Sequence, residues 1–220
     1  MIQAPPIFVV DDDPDVRDSI RALLESAGHN VRDFVSAKSF LADHVGPGGC
    51  LITDISMPGM SGLDLQQEIV RAGLEMPVII ITGHGDVPLA IRAMKAGAID
   101  FIEKPFDDIT LLHSLANALE IGRLKQGRLV EIQSAQKLVA LLTPREFQVL
   151  EQLTAGRSNK IAAHALSISP RTVEIHRAHI MDKLQARGLS DLVRISLQAA
   201  NLNGENMQRG GASGFADQKN

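Results

Sequence analysis

The chain has 220 residues, of which 45% are hydrophobic, 3% aromatic and 22% charged. This composition indicates globular protein with room for about two small domains, and it excludes collagen-like, disulfide-scaffold and wholly disordered chains. Its single cysteine, Cys50, rules out an intramolecular disulfide. Because no apolar run approaches the roughly 20 residues of a membrane helix and the N-terminus lacks a signal-peptide pattern, we expect a cytoplasmic protein without a membrane partner.

The net charge of −4 is unevenly distributed along the chain. Residues 1–120 carry 8 Lys+Arg against 18 Asp+Glu, whereas residues 121–220 carry 14 against 8. An acidic half followed by a basic half is expected when one domain handles a cation or a phosphate and the other meets a polyanion.

Short apolar segments alternate with helical patterns through the first half of the chain. The predicted strands are 7–10, 31–35, 50–54, 78–82 and 98–102, and the predicted helices are 14–27, 37–44, 63–71, 87–96 and 107–120. Asp13 is placed to cap the first helix, with Pro14 at the first helical position. Almost wholly apolar strands that alternate with helices predict a (βα)5 α/β domain, in which helices cover both faces of a parallel sheet.

The second half contains helical patterns only. A helical linker is predicted over 121–141, followed by an all-α domain of four helices over 142–200. Each helix has its own start signal: a capping box at Thr143-Pro144-Arg145-Glu146, then Ser158, Ser169-Pro170 and Ser190. The first domain then spans 5–120, and a disordered tail is expected over 201–220, where Gly, Asn, Gln and Ser predominate.

Functional groups of an open parallel sheet gather where its strands end. Here the ends carry, in chain order, Asp11 and Asp12, then Asp54, Thr82 and Lys104. A strand order of 2-1-3-4-5 makes the first and third strands neighbours, so three carboxylates meet at one edge. Their mutual repulsion calls for a cation, and oxygen ligands favour Mg²⁺.

The same arrangement suits phosphoryl transfer to a carboxylate. Asp54 would be the nucleophile and would form an acyl phosphate. Mg²⁺, the Lys104 ammonium and the Thr82 hydroxyl would offset the charge on the equatorial oxygens. The predicted metal ligands are Asp11, Asp12, Asp54 and the Ser56 carbonyl. Lys104-Pro105 also predicts a cis peptide bond.

Two of the C-terminal helices are joined by residues 167–169, a spacing that suits a helix-turn-helix, whose second helix enters the DNA major groove. In that helix, Val173, Ile180 and Leu184 fall on one side and are expected to be core. Arg171, Ile175, Ala178 and Asp182 centre the opposite side, flanked by Glu174 and His179. The residues for which we predict contacts with DNA are Lys160 of the preceding helix and, in this helix, Arg171, Thr172, Glu174, Ile175, Arg177, Ala178, His179 and Lys183.

The chemistry of these side chains assigns them different tasks. Glu174 could accept a hydrogen bond from a cytosine amino group, while Ile175 and Ala178 could contact thymine methyl groups. The cationic members, Lys160, Arg171, Arg177 and Lys183, are candidates for phosphate contacts, which position a protein on DNA but specify little.

Residues 7–120 resemble a response-regulator receiver domain, which has a flavodoxin-like fold. The runs Ile-Thr-Gly-His-Gly-Asp-Val-Pro (81–88) and Asp-Phe-Ile-Glu-Lys-Pro-Phe (100–106) resemble the FixJ group in particular. The resemblance implies that a sensor histidine kinase phosphorylates the chain, and that its only catalysis is Mg²⁺-dependent self-phosphorylation and autodephosphorylation.

Specific roles follow from the same resemblance. It implies that Asp54 is the phosphoacceptor, that Asp11 and Asp12 are the metal carboxylates, and that Thr82 and Phe101 form the switch pair. Phe101 lacks the hydroxyl group that a tyrosine would bring to a hydrogen-bonded form of the switch.

The second half is similar to the DNA-binding domains of the LuxR/NarL/FixJ type. The similarity lies in Leu-Thr-Pro-Arg-Glu (142–146), Gly-Arg-Ser-Asn-Lys-Ile-Ala (156–162) and Ile-Ser-Pro-Arg-Thr-Val-Glu-Ile-His-Arg (168–177). Such domains commonly dimerise through their last helix, here 190–200, and bind inverted repeats in double-stranded DNA.

Together the two resemblances imply a phosphorylation-dependent transcription activator that acts with RNA polymerase. Phosphorylation is expected to pair two chains through a face that includes Ile91, Lys95 and the helix 107–120, or to release the DNA-binding unit.

The same sequence features admit three other interpretations. A haloacid dehalogenase-type phosphatase would use Asp11 as nucleophile and Asp13 as acid/base, but Pro14-Asp15 replaces the expected small-residue turn and residues 142–200 are left unexplained. Alternatively, the helical unit could be a plain bundle with a solvated charged face, or it could dock a protein rather than DNA. The steep salt dependence of DNA binding separates DNA from protein docking.

Overall fold

The strands of the first half are apolar along their length because both faces of their sheet are covered. The computed structural model describes residues 5–43, 48–83, 85 and 87–210, with side chains through residue 200. The strands are β1 (Ile7–Val10), β2 (Val31–Phe34), β3 (Cys50–Asp54), β4 (Val78–Thr82) and β5 (Asp100–Glu103). All pair in parallel in the order β2-β1-β3-β4-β5, so the predicted fold class is confirmed.

Helices flank this sheet. They are α1 (Pro14–Ser26), α2 (Ala37–Ala42), α3 (Gly62–Arg71), α4 (Val87–Lys95) and α5 (Asp108–Val139). The Asp13 side chain accepts hydrogen bonds from the amides of Asp15 and Val16, and Pro14 opens α1, as predicted. The end of the predicted helix 37–44 lies outside the described residues.

Alternation along each strand supplies two apolar cores. Ile80 packs in one core with Phe8 and Phe40, whereas Ile79 and Ile81 point to the other, with Leu24. Burying an isoleucine side chain contributes about 1.5–3 kcal/mol. The two cores fix the sheet between its helices and hence the positions of the strand ends.

The chain divides into two compact units, residues 1–127 and 128–220, and the division falls within α5. The sequence predicts a helix over 107–120 and a separate helical linker over 121–141; the linker is helical, but it is continuous with the preceding helix, and a single helix runs from Asp108 to Val139. Ile132 and Ala135 are buried, and Ala135 packs in the core of the second unit. Part of the predicted linker is therefore built into the second unit.

The second unit is helical, as predicted. Its further helices are α6 (Pro144–Thr154), α7 (Asn159–Ala165), α8 (Pro170–Lys183) and α9 (Leu189–Gly210). The side chains of Thr143, Ser158 and Ser169 cap α6, α7 and α8 as the sequence predicts.

The last helix is longer than expected. The sequence predicts a helix that opens at Ser190 and ends at Ala200, with a disordered tail over 201–220, but α9 runs from Leu189 to Gly210. Helix is possible there because no proline interrupts the range, and one internal glycine costs only about 1 kcal/mol. The rest of the predicted tail lies outside the described residues. None of the helices described is both long enough and apolar enough to cross a membrane.

Candidate functional site

Two carboxylates and an ammonium group meet at the carboxyl edge of the sheet. Asp11 directly follows β1, and Asp54 ends the neighbouring strand β3. Asp11 is only 2% exposed and Asp54 only 5%. The Lys104 Nζ lies 2.7 Å from Asp11 Oδ2 and 2.7 Å from Asp54 Oδ1. The structure thus brings together three of the side chains that the sequence predicts for this site.

The main chain around Asp11 is held by further hydrogen bonds. The Asp13 amide donates to Asp11 Oδ1 (3.0 Å), and Arg17 Nη1 donates to the Asp11 carbonyl (2.8 Å). Arg17 Nε is in turn 3.2 Å from Asp33 Oδ2 on β2. Arg17 is not among the residues that the sequence predicts for this site. Its position could have indicated this role, because it lies beside the apolar stripe of α1 and close in sequence to the aspartates that follow β1.

The loop after β3 fixes Asp54. The Ser56 amide donates to Asp54 Oδ2 at 2.5 Å. At the start of α3, a Cβ added to Gly62 would lie 2.2 Å from the Asp54 carbonyl oxygen, so only glycine allows the helix to approach this closely. Gly62 was also missed, because a glycine at a predicted helix start carries no specific signal.

The predicted switch residues occupy the neighbouring strands. Thr82 is fully buried at the end of β4, and its carbonyl accepts a hydrogen bond from the Lys104 amide at 2.7 Å. Phe101 on β5 is half-buried and packs against the core that contains Ile80, its partner in the strand register. The Lys104-Pro105 peptide bond is cis, as predicted.

Burial and hydrogen bonding act in opposite directions on the charged groups of this edge. Burial raises the pKa of Asp11 even though Lys104 and the Asp13 amide donate hydrogen bonds to it. Burial by itself would lower the pKa of Lys104, but hydrogen bonds to Asp11 and Asp54 outweigh it, so the net shift is upward. Lys104 is therefore charged, and it partly neutralises the carboxylate pair.

The residues present fit Mg²⁺ in the chemistry of their donors. Carboxylate and carbonyl oxygens are the ligands this ion takes, and it also retains several waters. Over the described residues, however, no three His, Cys, Asp or Glu side chains are grouped so that they could hold a metal ion. Asp12 is exposed, and Lys104 bridges Asp11 and Asp54. The ion and its ligand set, including the Ser56 carbonyl, stay predictions.

The second candidate site is the outer face of α8. Val173, Ile180 and Leu184 are at most 1% exposed, which confirms their predicted place in the core. The residues predicted to contact DNA divide into an exposed set, Lys160, Arg171, Glu174, Ile175, Ala178 and His179, and a half-buried set, Thr172, Arg177 and Lys183.

Two of the half-buried residues already have partners within the unit. Thr172 Oγ1 lies 2.8 Å from Ser169 Oγ in the cap of α8. Lys183 Nζ donates to Glu146 Oε2 at 2.7 Å. Hydrogen bonds from Lys183 and from the Thr143 amide lower the pKa of Glu146 to about 2. The sequence indicates Glu146 only as part of the α6 capping box.

The residues predicted for the dimer face lie on α4. Ile91 is 48% exposed, and Lys95 is exposed as well. Their part in dimerisation stays a prediction.

Comparison with known proteins finds a family model for each half of the chain. The model of the response regulator receiver domain matches residues 7–116, and that of bacterial regulatory proteins of the LuxR family matches residues 140–196. The transcriptional regulatory protein FixJ of Azorhizobium caulinodans is 48% identical, with 90% of this chain and 95% of that protein covered. FixJ of Bradyrhizobium diazoefficiens is 45% identical, with 90% and 97% covered.

Solved structures give the same result. The structure of the response regulator StyR has a TM-score of 0.79 at 42% identity and covers 89% of this chain and 100% of its own. Full-length FixJ from B. japonicum has a TM-score of 0.55 at 43% identity and covers 91% and 100%. The chain therefore belongs to the FixJ group of two-component response regulators, with a receiver domain followed by a DNA-binding domain of the LuxR family.

Proposed function

We propose that this response regulator accepts a phosphoryl group on Asp54 from a sensor histidine kinase, dimerises, and activates transcription from promoters with inverted-repeat sites. The observation that carries the proposal is the Lys104 ammonium, held 2.7 Å from Asp54 Oδ1 at the edge of the sheet. A carboxylate with a fixed cation beside it can accept a dianionic phosphoryl group whose charge would otherwise repel it.

In the proposed transfer, a carboxylate oxygen of Asp54 attacks the phosphorus of the kinase phosphohistidine. The P–N bond breaks, the imidazole leaves, and an acyl phosphate forms on Asp54. Lys104 offsets the charge on the phosphoryl oxygens, and the Thr82 hydroxyl donates to one of them. Mg²⁺ held by Asp11, Asp12, Asp54 and the Ser56 carbonyl would supply further positive charge. The same pocket would catalyse slow self-phosphorylation and autodephosphorylation.

The phosphoryl group would then shift Thr82 and Phe101 and alter the α4 face that carries Ile91 and Lys95, so that two receivers pair. Pairing places two copies of α8 on one duplex, which raises the affinity through effective concentration. The dimer would act in the cytoplasm with RNA polymerase.

Light scattering of the full chain tests the proposal. With acetyl phosphate and Mg²⁺, the wild type should double in mass and gain affinity for double-stranded DNA, while Asp54→Asn should do neither. If both proteins respond alike, or if DNA binding is strong and indifferent to the phosphodonor, Asp54 is not the control point.

A further inference from the structure

The first turn of α6 makes contacts with the recognition helix α8 that go beyond capping. Glu146 is 4% exposed, and its Oε2 accepts hydrogen bonds from the Thr143 amide (2.8 Å), the Thr143 hydroxyl (2.9 Å) and Lys183 Nζ (2.7 Å). The other oxygen, Oε1, lies 3.7 Å from Nδ1 of His179, one turn before Lys183. One buried carboxylate therefore faces two residues near the C-terminal end of α8.

The neighbouring residue, Arg145, contacts the turn between α7 and α8. Arg145 donates through Nη2 to the carbonyl of Leu166, the C-cap of α7. The next residue, Ser167, has a φ of 55°, so the turn that leads into α8 is left-handed at this point. Adjacent side chains of α6 thus contact the turn before α8 and the last turn of α8 itself.

Charge pairing limits what Lys183 can do. A buried carboxylate without a cation is costly, and removing one member of such a pair leaves the other charge uncompensated. Lys183 is half-buried and bonded to that carboxylate. Lys160, by contrast, is exposed on α7 and takes part in no ion pair among the described residues. The two lysines therefore carry the same charged group, but only that of Lys183 is already paired with a carboxylate.

We propose that Glu146 and Lys183 are positioning residues for DNA recognition: their ion pair fixes the orientation of α8 against α6, and Lys183 does not contact DNA. The inference rests on the proposed DNA-binding function. In this proposal Lys183 does not bind a phosphate. It acts indirectly, because the orientation of α8 decides whether the side chains of Glu174, Ile175 and Ala178 reach the base edges.

The salt dependence of binding separates the two roles. A lysine that neutralises a phosphate contributes about 0.9 to the slope of log affinity against log salt. The probes are a duplex enriched from random sequence by the phosphorylated wild type and an unrelated duplex of equal length. Lys183→Gln should lower the affinity for the enriched duplex about tenfold, leave that for the unrelated duplex unchanged, and keep the slope. Lys160→Gln is the matched control, and its slope should fall by about 0.9.

A double variant tests the pairing. Glu146→Gln combined with Lys183→Gln should lose no more discrimination between the duplexes than Glu146→Gln alone, because both remove the same interaction. Lys183→Arg, which keeps a cation, should recover most of the discrimination. Thermal unfolding of each variant confirms that the samples are folded.

Two results would overturn the inference. A slope for Lys183→Gln that falls as much as that of Lys160→Gln would make Lys183 a direct phosphate contact. Equal loss of affinity for both duplexes, in step with lost stability, would make the pair merely structural. If the wild type shows no salt-dependent DNA binding, the proposed function fails instead, which is a separate outcome.

Discussion

At the scale of single residues, Lys104 is what allows two carboxylates to lie side by side beneath the surface. Asp11 and Asp54 are each bonded to the same Nζ, and neither is more than 5% exposed. With all three groups ionised, the cluster still carries a net negative charge, which burial penalises. Such unfavourable burial is common at functional sites, where stability is given up for chemistry.

The pKa of Asp11 makes this cost measurable. Because burial raises that pKa above the ordinary value of 3.8, the folded chain binds this proton more tightly than the unfolded chain does. The stability gained from the bound proton is full below pH 3.8 and is lost as the pH rises through the folded pKa. Asp11→Asn, which cannot ionise, should therefore be more stable than the wild type at pH 7, and this advantage should disappear near pH 3.

Urea unfolding followed by circular dichroism, with divalent cations removed, measures this difference. Asp12→Asn is the matched control at the adjacent exposed carboxylate, and its free energy of unfolding should stay within about 0.5 kcal/mol of the wild type. A less stable Asp11→Asn at pH 7 would show that the bond to Lys104 outweighs burial.

At the scale of elements, the two glycines inside α5 differ in their surroundings. A Cβ at Gly127 would meet nothing within 4 Å, so Gly127→Ala should stabilise the protein by about 1 kcal/mol through helix propensity. A Cβ at Gly122 would lie 2.8 Å from Cγ of Pro77, so Gly122→Ala should gain much less or destabilise. Thermal unfolding of the two variants compares them directly, and equal gains would contradict the packing argument.

How far the sequence predicts these elements depends on the range of the interactions. Strands, caps and the meeting of Lys104 with the aspartates at one edge follow from local patterns and a sheet order. The ion pair between Glu146 and Lys183 does not, because it depends on how two helices pack across 37 positions of the chain. The sequence predicts helix on both sides of residue 120 but not that the two segments are continuous, because Gly122 and Gly127 lower helix propensity. Burial of Ile132 and Ala135, which outweighs that loss, depends on tertiary packing.

At the scale of the whole molecule, each unit has its own apolar core. Leu24 and Cys50 belong to a core of residues 1–127, while Leu150 belongs to that of residues 128–220. Each of these side chains is at most 1% exposed. Among the described residues, no core residue of one unit belongs to a core of the other. Because the two units share no core, we expect them to unfold independently.

Cys50 reports on one unit alone. Burial raises the pKa of its thiol to about 12, so in the folded chain it should react with a thiol reagent only after the first unit opens. Leu24→Ala and Leu150→Ala are matched truncations that each cost about 2–5 kcal/mol. Leu24→Ala should accelerate labelling of Cys50 about 30-fold or more. Leu150→Ala should lower the unfolding temperature of the second unit and leave the labelling rate unchanged; comparable acceleration by both variants would mean that the two cores open together.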